Sequence, residues 1–226
     1  PAGAQGVQDG NWVRITPADQ PLAAESDPPL RVGRITRVDG SLSARPAGAD
    51  DWAEAERNYP MAAGTEYWTP EGSRARFDLG SGQVAIDGGT QLRIDALDET
   101  GLRATLQAGE AYLRLRTPQR GEAWLVRTPR GVVALDGAGR YAITAGDAAT
   151  PSRVTVLEGS ARLLEPAPDL AIGPGQAALL TGDDAFAARL VAAEPDGFMA
   201  AMMTNEQAPA APIQPVRPPA VVEQIP

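Results

Sequence analysis

The reactive inventory of this sequence is short: carboxylates, arginines and four tryptophans, with no cysteine and no histidine among 226 residues. That removes thiolate nucleophiles, imidazole bases, disulfides and nearly every soft-metal site. Paired carboxylates remain chemically able to hydrolyse glycosides or to bind calcium through oxygen ligands. The acids, however, fall mostly in turns, at Asp39, Asp87, Asp136, Asp183 and Asp184, and none stands in a D-x-D-x-D-G loop or a nonapeptide repeat. An Asp in a turn normally satisfies its own backbone. The expectation is a protein that is not an enzyme, with no catalytic residue, no cofactor and no metal ligand to name.

Arginine is more informative, because all 20 basic residues are arginine. Arg103, Arg114, Arg116, Arg120, Arg127 and Arg130 share residues 103–130 with only Glu110 and Glu122, a local balance of +4, while the rest of the chain carries -13 of the net -9. Alternation sets Arg103 against Leu102 and Ala104, Arg114 and Arg116 against Leu113 and Leu115, and Arg127 against Val126. Arg103, Arg114, Arg116, Arg127 and Arg130 are therefore the candidate partner-binding face, suited to an acidic protein, a phosphorylated lipid or a cell-wall polymer. The plain alternative is a solvated sheet face with arginines as gatekeepers. A net charge of -9 speaks against nucleic acid as a partner. Trp52 and Trp68 are able to stack on sugar rings, but aromatics make up only 5% of the chain and burial in the core is the expected use.

These residues must be positioned by strands. Trp124 to Ile143, W-L-V-R-T-P-R-G-V-V-A-L-D-G-A-G-R-Y-A-I, reads as three strands broken by Thr128-Pro129-Arg130-Gly131 and by Asp136-Gly137-Ala138-Gly139. Trp124, Val126, Val133 and Leu135 are its expected core residues. Arg74 to Leu79 alternates in the manner of a half-buried strand. Asp39-Gly40-Ser41 predicts a hairpin between Val32–Val38 and Leu42–Arg45. Further turns are expected at Asp87-Gly88-Gly89, Ala108-Gly109-Glu110 and Glu158-Gly159-Ser160. Ala53 to Arg57 admits one turn of helix. Roughly a dozen or more short strands follow at the spacing of an all-β sandwich, barrel or solenoid. A Gly-led phrase recurs at Gly40, Gly72, Gly109 and Gly159 without a fixed period, which favours stacked short hairpins in a β-sandwich or β-solenoid-like domain over a strict repeat array.

Residues 1–30 read as an extended N-terminal arm, 31–190 as the β-domain, 191–207 as a short helix and linker with Asp196 as N-cap of Phe198 to Met203, and 208–226 as a Pro-rich extended tail. No apolar run is long enough to span a bilayer as a helix. The arms carry apolar residues that a free tail has no reason to keep, so Trp12, Ile15, Ile213, Val221, Val222 and Ile225 are the candidate arm anchors.

Several phrases in order carry a family resemblance: G-x-E-Y-W-T at Gly64 to Thr69, G-S-G-Q-x-x-I within Phe77 to Ile86, and L-x-x-G-x-x-Y-L-R-L at Leu106 to Leu115. The Trp124 to Tyr141 unit follows, then V-x-V-L-E-G-S-A-R-L at Val154 to Leu163 and I-G-P-G-Q at Ile172 to Gln176. Over Val32 to Leu180, about two-thirds of the chain, the sequence resembles the FecR family, the ferric-citrate-regulator-like periplasmic domains of bacteria. The resemblance implies an all-β domain exported to the periplasm or beyond in a Gram-negative bacterium, which in signalling members relays between an outer-membrane transducer and a sigma factor. Pro-rich arms stand here in place of a helical sigma-binding segment and a transmembrane helix. The expectation is the stand-alone, secreted branch: a non-catalytic envelope module that docks an envelope protein or a neighbouring copy. A carbohydrate- or peptidoglycan-binding module and a periplasmic signalling relay are the alternatives.

Overall fold

The computed structural model describes residues 32–116, 121–165, 170–182 and 187–207. The arms at 1–30 and 208–226, with Trp12, Ile15, Ile213, Val221, Val222 and Ile225, lie outside the described residues, as do Arg120, Asp183 and Asp184. The elements in order are β1 (Gly33–Asp39), β2 (Ser43–Arg45), β3 (Ala53–Glu54), β4 (Pro60–Met61), β5 (Glu66–Thr69), β6 (Arg74–Asp78), β7 (Gly82–Ile86), β8 (Thr90–Asp98), β9 (Gly101–Ala108), β10 (Glu110–Leu115), β11 (Ala123–Thr128), β12 (Gly131–Thr144), β13 (Ser152–Glu165), β14 (Leu170–Ile172), β15 (Gln176–Thr181), β16 (Ala187–Ala192) and α1 (Gly197–Gln207). All sixteen strands belong to one sheet, so the all-β class expected from the alternation holds. The short hairpins merge into a single curled open sheet, a half-barrel.

Two long strands make the curl. The first half of β12, Gly131 to Leu135, pairs with β11, and its second half, Gly139 to Thr144, pairs with β10 along the same edge. On its other edge β13 follows β12 throughout and forks in turn, to β14 near Ala161–Leu163 and to β15 over Ser152–Val156. The sheet is thus two leaves joined by β12 and β13. One leaf runs β3-β2-β5-β8-β9-β11 into the hinge, and the other runs β4-β1-β6-β7-β10. The turns expected at Asp136–Gly139 and Glu158–Ser160 are therefore opposed irregularities within continuous strands, where the register slips between Asp136↔Ser160 and Arg140↔Glu158.

Tyr141 fills the inside of that bend. It is fully buried, and its hydroxyl lies 3.2–3.3 Å from the carbonyls of Asp136, Gly137 and Ser160, to which its one proton is donated in turn. Gly159 has φ 87°, and a Cβ there would sit 2.4 Å from the Tyr141 hydroxyl, so both backbone and space require glycine.

The leaves close on one core. Arg74-Ala75-Arg76-Phe77-Asp78 buries alternate residues, and Phe77 meets Tyr67 of the opposite leaf edge-on at a centroid distance of 4.9 Å. Trp124, Val126, Val133 and Leu135 are all buried in the same cluster, as the sequence predicts.

Three Gly-led turns join strands of different leaves. β1 and β2 do not pair; β1 pairs with β4 and β6, and β2 with β3 and β5, so Asp39-Gly40-Ser41 is a corner between leaves and not a hairpin. The Ser41 N–H donates to Ser73 Oγ at 3.1 Å, which ties this corner to the β5–β6 loop. Asp87-Gly88-Gly89 and Ala108-Gly109-Glu110 are corners of the same kind. Thr69 Oγ1 donates to the Asp87 carbonyl at 2.5 Å and Thr90 Oγ1 to the Glu110 carbonyl at 3.2 Å. A positive φ reverses the chain, but tertiary partners decide which strand it meets next. Because β10 crosses to the second leaf, β9 and β11 come together in parallel. The helical turn expected at Ala53 to Arg57 is also absent: Ala53 and Glu54 pair with β2 as a short edge strand.

The helix begins where its cap predicts. The Met199 N–H donates to Asp196 Oδ1 at 2.9 Å, and the helix continues past Met203 to Gln207. Phe198, Met199 and Met202 bury themselves on the outer face of the second leaf, against Ala85, Tyr112 and Ala142. Two alanines beneath the helix allow its close approach, and each buried Phe or Met side chain is worth roughly 1.5–3 kcal/mol.

Candidate functional site

The five candidate arginines do not share a face. Arg103 and Arg127 project from the outer side of the first leaf, aligned across the strands with Leu125 and Thr105. Arg114 stands opposite Gln83 and Arg140 on the second leaf, on the side that α1 covers. Arg116 closes the end of β10, donating to the Gly80 carbonyl at 2.6 Å and to Asp78 Oδ2 at 3.0 Å. Burial alone would push the Asp78 carboxyl up, but the Gly80 N–H, the Arg116 guanidinium and the Gln83 amide hold it below its ordinary value. Arg130 is only 8% exposed and donates to the carbonyls of Gly182, Thr150 and Asp147 at 3.1, 3.1 and 2.6 Å. It is an internal tie between three loops. Alternation separates inward from outward, but the chain changes leaf between β9, β10 and β11, and outward then means two different surfaces.

On the first leaf and the two hinge strands most arginines have carboxylate partners. Arg45 pairs with Glu66, Arg93 with Asp95 at 2.7 Å, Arg127 with Glu165 at 3.4 Å and Arg162 with Asp136 at 2.8 Å. The turn acids that the sequence assigns to their own backbones thus hold arginines instead: Asp39 takes Arg37, and Asp87 takes Arg74. Among the described residues no group of three or more acidic side chains is arranged to hold a metal ion.

The feature that stands apart lies at the β3 edge of the first leaf. Ser43 and Arg45 flank the buried Ala44 on β2 and point outward; Ser43 aligns with Trp68 and Arg45 with Glu66. The Glu66 side chain is only 11% exposed and takes the Arg45 guanidinium. The other side of that guanidinium stacks over Trp52, 4.9 Å from the ring centroid. Trp52 and Trp68 remain 40% and 38% exposed, on either side of β2. The burial expected for them is therefore wrong; Trp124 alone of the described tryptophans enters the core. Three residues of β2 and two of β3 are too few to show an alternation, which is why the sequence conceals this site. Arg45, Trp52 and Trp68 thus lie together at one edge of the leaf, with the Arg45 guanidinium held by Glu66 and Trp52.

Around the N-terminus of α1 three acids converge. Burial pushes the Glu110 carboxyl up to about 8, aided by the charge and hydrogen bond of Asp196 and by Asp87, and opposed by Arg153. One of its oxygens, Oε1, is buried without a hydrogen-bond partner. No helix among the described residues is long and apolar enough to cross a membrane.

No protein-family model matches the sequence, and no curated protein matches it significantly. Solved structures do resemble it. A crystal structure of a "putative anti-sigma factor" from Parabacteroides distasonis superposes with a TM-score of 0.52 at 16% identity, over 61% of this chain and 64% of that one. A second crystal structure of the same description gives 0.49 at 17% identity, over 56% and 59%. This chain thus matches less than two-thirds of the length of either, and the likeness is one of fold.

Proposed function

We propose that this chain is a non-catalytic docking module of the bacterial cell envelope, a FecR-type β-domain that holds a protein partner or a neighbouring copy. The observation that carries the reading is the exposed Trp52, Arg45 and Trp68 surface at the β3 edge. Tryptophan and arginine are enriched among the residues that dominate the energetics of protein interfaces, tryptophan because it buries much area for few rotatable bonds and arginine because its planar fork makes several hydrogen bonds at once. Arg45 is already immobilised between Trp52 and Glu66, so little entropy remains to be lost on docking. The short β3 strand leaves backbone groups at the sheet edge beside it, and such an edge accepts another chain. The family resemblance supports an envelope location.

A second reading, a signalling relay, is favoured by the fold likeness to the protein described as an anti-sigma factor. A carbohydrate platform is the competing use of the same two rings. One experiment separates protein docking from glycan binding: envelope extract and soluble peptidoglycan fragments are passed over the immobilised chain and over a Trp52→Ala/Trp68→Ala variant. Protein capture that the variant loses is the expected result. Capture unchanged by the variant, or retention of glycan alone, would overturn the docking surface.

A further inference from the structure

A cavity of about 150 Å³ lies on the other leaf, between β1, β6 and α1, lined by Arg37, Asp39, Arg74, Arg76, Phe198 and Met202 among others. Two of its three guanidinium groups are neutralised in place. Arg37 bonds Asp39 through Nε at 2.7 Å, and Arg74 bonds Asp87 at 2.6 Å while its guanidinium carbon sits 5.5 Å from the Phe198 ring centroid. Arg76 differs. Its side chain is half-buried, and among the described residues the side-chain contact it makes is through Nη2 with the Met202 thioether sulfur at 3.5 Å. A thioether is a weak acceptor and brings no charge. A guanidinium carries five donors in a planar fork that matches a carboxylate, so Arg76 brings to the cavity wall a positive charge that has no carboxylate partner among the described residues.

We infer that this cavity binds a small monocarboxylate with a short apolar body. One uncompensated guanidinium calls for one negative charge. Phe198, Met202 and Ala85 supply the apolar side. At about 150 Å³ the cavity has the volume of an engineered apolar cavity that admits benzene, which suits a ligand of about half a dozen heavy atoms. Such a ligand touches β6 through Arg76 and α1 through Phe198 and Met202, so its binding fastens the helix to the sheet.

The test is calorimetric titration of the folded chain with isobutyrate, with isobutyramide and inorganic phosphate in parallel, and with hydrogen exchange of α1 followed in the same samples. Isobutyrate is expected to bind with a dissociation constant on the order of millimolar, as its size dictates, and to slow exchange in α1, while the neutral amide does neither. Arg76→Gln should weaken binding about tenfold or more through loss of the charge-assisted pair. Arg103→Gln, on the opposite leaf, should leave binding unchanged. Met202→Leu removes the sulfur contact, keeps the apolar wall and should retain binding, so it serves where Arg76→Gln fails to fold. Equal affinity for isobutyramide or phosphate, or no heat with isobutyrate, would overturn the assignment.

Discussion

Gly82 on β7 and the Trp124 ring on β11 touch across the two leaves: a Cβ built on Gly82 would lie 2.6 Å from Cη2 of Trp124 and 2.8 Å from Cζ2. The ring occupies the space of a missing side chain, and its Nε1 donates to Glu122 Oε1 at 3.0 Å. Gly82→Ala overfills that junction and should cost about 1–3 kcal/mol. Trp124→Phe withdraws the two ring atoms concerned, so Gly82→Ala should be milder in the Trp124→Phe background than alone, by about 0.5 kcal/mol or more of coupling. Urea unfolding of the two single variants and the double variant measures this. Additive losses would mean that the Arg114 carbonyl, 2.8 Å from the same point, sets the constraint instead.

Arg130 yields the second prediction. Its guanidinium links the Pro129-Arg130 turn to the carbonyls of Asp147 and Thr150 in one loop and of Gly182 in another. Within the first loop, Asp147 accepts the N–H groups of Ala149 and Thr150 at 2.8 Å each, and these bonds, with the Thr150 hydroxyl, hold its carboxyl below the ordinary value. Arg130→Met keeps the length of the side chain but strands three carbonyls, and should destabilise by roughly 2–4 kcal/mol. Arg103→Met, on an exposed position, should stay within about 0.5 kcal/mol. Comparable small losses at both sites would return Arg130 to the surface role read from its sequence context.

The contrast between these two arginines shows what the sequence makes legible. Strand existence and inward alternation are local: Arg74 to Leu79 and Trp124 to Leu135 fold as their patterns dictate, and Asp196 caps the helix that follows it. Which leaf a strand joins is not local. Gly40, Gly89 and Gly109 give the same turn signal as a hairpin, yet each lies at a corner between leaves, because Ser73, Thr69 and Thr90 hold the corners from elsewhere in the chain. The charge patch at 103–130 dissolves for that reason. Trp52 and Trp68 stay exposed because β3 ends the leaf and nothing described lies beyond it, a fact about sheet order that no window of neighbouring residues contains.

Glu110 makes the protein's stability depend on pH in an unusual direction. Its carboxyl stands beside Asp196, whose own oxygen caps α1 through Met199, and near Asp87, which holds Arg74; Arg153 is the cation that partly offsets them. A carboxyl whose folded-state value is raised to about 8 stays protonated when the unfolded chain has already released its proton. The folded state then binds more protons across the interval from the ordinary carboxyl range to about 8, so stability is full below that interval and falls as pH rises through it. Most proteins with paired carboxylates lose stability toward acid; this site loses it toward mild alkali, and the loss is focused on the N-terminus of α1. Glu110→Gln cannot ionise and can still donate to Asp196. Thermal unfolding of the two proteins should therefore agree closely near pH 5 and diverge by pH 9, where the variant is the more stable, with α1 amides exchanging faster in the wild type alone. Parallel curves over the whole range would show that Glu110 ionises as an ordinary surface glutamate.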